Sequence, residues 1–101
     1  MDEKPGVTHY QFRLRWRGLI GTCAGRALHH PKHLTLQIRM QTPEGFLLFE
    51  VAEVDSIEAA WPLLLKVCNQ RGVEPLEYRT TDTSIGPWLP VPGAPPAPPA
   101  T

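Results

Sequence analysis

The chain has 101 residues, ten Lys and Arg against ten Asp and Glu, and two cysteines. That length leaves room for one domain. No apolar run approaches the roughly 20 residues needed to cross a bilayer, and none at the N-terminus resembles a signal peptide, so a soluble cytoplasmic protein with reduced thiols is expected.

Charge is unevenly placed. Residues 1–41 carry seven Lys and Arg against two acids, a balance of +5, and residues 42–101 carry three against eight, a balance of −5. All four histidines lie in the basic half. Such asymmetry marks either a surface for an acidic partner or nucleic acid, or two halves that pair with each other.

Residues 1–6 are a charged, flexible lead-in ending in Pro5-Gly6. Residues 9–17 then alternate without a break. A strand sends successive side chains to opposite faces, so Tyr10, Phe12, Leu14 and Trp16 are assigned to a core, and Gln11, Arg13, Arg15 and Arg17 to an outer face. Residues 18–31 are ambiguous. Gly18, Gly21 and Gly25 argue for a loop, whereas Leu19, Ile20, Cys23, Ala24, Ala27 and Leu28 fit one side of a short, poor helix.

Residues 33–41 alternate again, with Leu34, Leu36, Ile38 and Met40 opposite Thr35, Gln37, Arg39 and Gln41. Thr42-Pro43-Glu44-Gly45 is turn chemistry and predicts a hairpin to a strand at 46–54. That strand is apolar on both faces, Leu47, Phe49 and Val51 on one and Phe46 and Leu48 on the other, which predicts an interior position. Asp55 stands at an N-cap position with Glu58 three residues on. Ile57, Ala60, Trp61, Leu64 and Cys68 follow at helical spacing, with Leu63, Leu65 and Val67 widening the stripe. Pro62 predicts a kink or a late start, and Arg71-Gly72 a stop. Residues 73–81 form a weaker strand in which Pro75 favours an edge position or a late start. From Ile85 the prolines predict polyproline II or disorder.

The expected fold class is α+β, a small antiparallel sheet of about four strands with one main helix packed on one face. Its order is βββαβ, or ferredoxin-like βαββαβ if residues 19–29 are helical. The domain spans 7–84, followed by a proline-rich tail over 85–101. The expected core is Tyr10, Phe12, Leu14, Trp16, Leu34, Leu36, Ile38, Leu47, Phe49 and Val51 against Ile57, Trp61, Leu64 and Val67. A core from fewer than about 80 residues rarely supplies more than roughly 3 to 5 kcal/mol, which makes self-association a default.

The outer face carries the concentrated chemistry. Arg13, Arg15, Arg17 and Arg39 fit carboxylates of an acidic protein partner or phosphates of a nucleic acid, with Phe46 and Leu48 as the apolar part of the same face. The run Gly45-Phe46-Leu47-Leu48-Phe49-Glu50-Val51, followed by a helix near Ser56, resembles the third strand and second helix of RNA recognition motifs. Glu44 stands where that family has a basic residue and Leu48 where it has an aromatic, and the match spans under a third of the chain.

His29, His30 and His33, with Cys23 upstream, have zinc-ligand chemistry, but no fourth ligand is evident, and a histidine-containing surface turn is the simpler reading. Cys23 near a histidine lacks a spaced acid–base partner, Gly18-Leu19-Ile20-Gly21 is too short for a dinucleotide loop, and no cofactor is implied. Pro87-Trp88-Leu89-Pro90 fits a polyproline ligand but lacks a flanking cation. The reading is a non-enzymatic binding or regulatory module. It contacts an acidic protein or a second copy, as a homodimer, through Arg13, Arg15, Arg17, Arg39, Phe46 and Leu48; the alternative is a small nucleic-acid binder using the same face.

Overall fold

The computed structural model describes residues 6–82 and 84–93. Strict alternation gives the first strand, β1 (Gly6–Trp16), which buries Tyr10, Phe12 and Leu14 and turns Arg13 and Arg15 to the opposite face. Arg17 and Gly18 both take positive φ, 51° and 78°, as the two-residue turns that match strand twist require. The chain returns at once as β2 (Leu19–His29), paired with β1 along its whole length.

Residues 19–29 are therefore neither loop nor helix, and the orders βββαβ and βαββαβ are both overturned. Gly25 explains the misreading. The ring of fully buried Phe12 lies against it, and a Cβ there would stand 2.8 Å from Phe12 Cδ2, so this glycine makes room inside a sheet.

β3 (Leu34–Thr42) and β4 (Gly45–Val54) form the predicted hairpin. The Thr42 hydroxyl fastens its turn, donating to the Gly45 carbonyl at 2.9 Å and accepting from the Glu44 N–H at 3.1 Å. Glu53, at φ 57°, sits in an irregularity where the β3–β4 register shifts. Helix α1 (Ile57–Gln70) follows. Its cap is Ser56 and not Asp55: the Ser56 hydroxyl accepts from the Ala59 N–H at 3.2 Å. Pro62 neither ends nor delays the helix. It lies on the exposed side, where water can satisfy the carbonyl one turn back.

β5 (Val73–Thr80) and β6 (Leu89–Pro90) complete a six-stranded, wholly antiparallel sheet in the order β4-β3-β2-β1-β5-β6. The expected four-stranded sheet is thus corrected to a fold in which sheet predominates. β4 is an edge strand, not an interior one. The tail expected from Ile85 returns to the sheet, because Leu89 and Pro90 pair with β5, the Val91 N–H donates to the Leu76 carbonyl at 3.0 Å, and the Val91 side chain is buried. Residues 94–101 of that tail and 1–5 of the expected N-terminal lead-in lie outside the described residues.

The core lies between one face of the sheet and Ala60, Trp61, Leu64 and Cys68 of the helix. Of the expected core, Trp16, Leu47, Ile57 and Val67 are partly exposed at its margin, while Ala27, Met40, Val54, Val73 and Val91 join it. No helix among the described residues is long and apolar enough to cross a membrane.

Candidate interaction face

Antiparallel pairing of β1 with β5 decides what the arginine row can do. It sets Arg13 opposite Glu77 and Arg15 opposite Glu74. The Arg13 guanidinium donates to Glu77 at 3.0 Å and that of Arg15 to Glu74 at 3.2 Å. Arg17, at the β1–β2 turn, reaches Glu44 of the β3–β4 turn at 3.5 Å. Each such partly exposed pair adds at most about 1 kcal/mol, yet together they place a carboxylate on three of the four predicted cations. Arg13, Arg15 and Arg17 of the basic half thus each face a carboxylate of the acidic half.

The same side of the sheet carries Trp88. The guanidinium carbons of Arg13 and Arg79 each stand 4.3 Å from its ring centroid, and Arg79 also donates to Gln11 at 2.8 Å. Trp88 therefore covers Arg13 and Arg79 on this face. Sequence reasoning did not assign this residue to the site, and the one signal for it is a large aromatic set among prolines.

Arg39 stands apart. It lies opposite Leu48 on β4 and opposite Ala24 on β2, two strands from Arg13. Among the described residues it has no carboxylate partner, and its guanidinium carbon stands 3.9 Å from the Phe46 ring centroid. Phe46 and Leu48 are 57% and 56% exposed, which a solvated strand seldom asks of two large apolar side chains. A hydrogen-bonded chain flanks this corner: Arg26 donates to Gln37 at 3.0 Å, and Gln37 donates to Glu50 at 2.7 Å. The predicted site is thus split into a self-neutralised group, Arg13, Arg15 and Arg17, and an open corner of Arg39, Phe46 and Leu48.

Between the two turns the sheet parts. The β2–β3 ladder stops at Ala24 and Arg39, while both strands run on. A cleft of about 330 Å³ opens there between Leu19, Ile20 and Cys23 on one side and Met40 and Pro43 on the other. Burial, with a smaller effect of Cys68, pushes the Cys23 thiol up to about 12, so at neutral pH it remains protonated and a poor nucleophile. Cys68 is likewise pushed to about 12 by burial, and both cysteines are free.

The histidines do not converge with Cys23. Six residues of extended strand hold Cys23 about 20 Å from His29. His29 Nε2 instead meets the Thr8 hydroxyl at 2.8 Å, and His30 and His33 close a turn in which the His30 N–H donates to the His33 carbonyl at 2.9 Å. Among the described residues no group of three or more His, Cys, Asp or Glu could hold a metal ion. No protein-family model, curated protein or solved structure matches the chain.

Proposed function

We propose that the chain is a non-enzymatic protein-contact module whose working surface is the corner formed by Arg39, Phe46 and Leu48. The observation that carries this reading is the adjacency of two exposed, large apolar side chains to an arginine stacked on one of them. Aromatic residues and arginine are the types enriched where protein interfaces concentrate their binding energy. The partner is a protein presenting a carboxylate beside an apolar contact. A continuous phosphate track is disfavoured because Arg13, Arg15 and Arg17 already face Glu77, Glu74 and Glu44. The two free thiols, one buried and one partly buried, accord with a reducing compartment, and we place the module in the cytoplasm.

A photo-crosslinking residue at position 46, with a control at exposed Leu63 on the helix, tests the reading in living cells. Discrete, protease-sensitive adducts from position 46 and not from 63 are expected. Adducts destroyed by nuclease, or none above the control, would overturn it.

A further inference from the structure

The two margins of this sheet differ in a way that selects a partner. At β4 the backbone edge is open: among the described residues no backbone hydrogen bond from outside the β3–β4 ladder reaches Phe46, Leu48 or Glu50. Antiparallel pairs alternate between residues that exchange hydrogen bonds and residues that do not. Counted from the two-residue turn that closes at Thr42 and Gly45, the N–H and C=O groups of Phe46, Leu48 and Glu50 point to the open edge. The same three residues have their side chains on the outer face. β4 contains no proline and no lysine, the residues that usually guard an edge.

We infer that β4 pairs antiparallel with β4 of a second copy of this chain, with Leu48 on the two-fold axis, joining two six-stranded sheets into one. This rests on the protein-contact reading and names its occupant. Charge complementarity fixes the register. With Leu48 opposite Leu48 of the second copy, Glu50 lies opposite Phe46 of that copy, beneath its Arg39, which among the described residues has no carboxylate partner. Each Arg39 thereby meets a carboxylate, and each Phe46 is covered. Moving the axis to residue 47 sets Glu50 against Glu44 of the other copy, a like-charge contact. At residue 49, Glu50 faces Leu48 and Phe46 faces Ala52, which leaves the Phe46 ring, and the guanidinium stacked on it, with no carboxylate opposite. The left-handed Glu53 ends the flat stretch, which confines pairing to about the seven residues 45–51.

Sedimentation velocity of the purified full chain over a wide concentration range tests this. A monomer–dimer equilibrium is expected, weakened at least about tenfold by Leu48→Lys. Arg39→Glu and Glu50→Arg should each weaken it, and the double variant should recover most of the loss. Circular dichroism checks that each variant is folded. A chain that stays monomeric throughout overturns the inference, while position-46 adducts to other proteins would still uphold the contact reading. A dimer indifferent to Leu48→Lys overturns it too, since the copies then meet elsewhere.

Discussion

The sheet ends in two edges that are treated in opposite ways. At one, the two-residue β6 lies between prolines, with Trp88 against Arg13 and Arg79 and Val91 buried. At the other, β4 runs ten residues with its outer backbone groups open and Phe46 and Leu48 in solvent. A small domain must blunt its edges or have them paired by another chain. Here the chain's own C-terminal strap closes one, and the other is left in a form that a second strand completes.

The largest expected effect comes from undoing the closed edge. A chain ending at Thr83 loses the buried Val91, the Trp88 stack and the pairing on β5, and should be destabilised by about 3 kcal/mol, most of it from apolar burial. Urea unfolding measures this. The truncated chain should also begin to associate through β5, so that dimerisation survives Leu48→Lys. If truncation leaves stability unchanged, the strap is ornamental and the two edges are alike.

Next is a change between the edges. Gly25→Ala drives a methyl into the Phe12 ring at the centre of the sheet, where neither can retreat, and should cost about 1–3 kcal/mol in urea unfolding. A loss below about 0.5 kcal/mol would mean that the β1–β2 pair is looser than its packing implies.

Phe46→Ser should do the reverse of both. Since the side chain is mostly solvated in the monomer, unfolding of the dilute protein should change by no more than about 0.5 kcal/mol, while self-association falls. Substantial destabilisation of the monomer would mean that Phe46 serves the fold and not a contact.

The two edges were also unequally legible in the sequence. β1, β3 and the hairpin to β4 follow from alternation because each buries one face, and α1 follows from its spacing even through Pro62. β2 was hidden by Gly25, which looks like a loop signal until the Phe12 ring is known to lie on it. β6 was hidden by prolines, which a central strand cannot tolerate but a two-residue edge can. The Arg13–Glu77 and Arg15–Glu74 pairs depend on which strand lies beside β1, and no local pattern encodes that neighbour across 64 and 59 residues. The apolar outer face of β4 was visible but read as an interior strand. It is an edge, and within one copy Phe46 and Leu48 stay more than half exposed even with the Arg39 guanidinium stacked on Phe46.

The smallest effect concerns the root of the strap. Asp82 accepts from the His9 backbone N–H at 3.1 Å to each oxygen, and His9 Nδ1 stands 2.8 Å from Asp82 Oδ1. The His9 side chain first, and then its backbone N–H, hold the carboxyl below the usual carboxylate range. A group whose folded pKa is depressed stabilises the fold above its unfolded pKa, and that contribution is lost as pH falls through the folded value. The tie between β1 and the strap should therefore stay intact down to about pH 4, the ordinary carboxylate value, and loosen below it. NMR amide exchange at His9 and Thr81, whose N–H donates to the His9 carbonyl at 3.1 Å, should then quicken relative to the amides of β4. Asp82→Asn should remove that acid dependence without touching self-association. If the β4 amides quicken in step with His9, the two edges open as one unit and the contrast between them is only geometric.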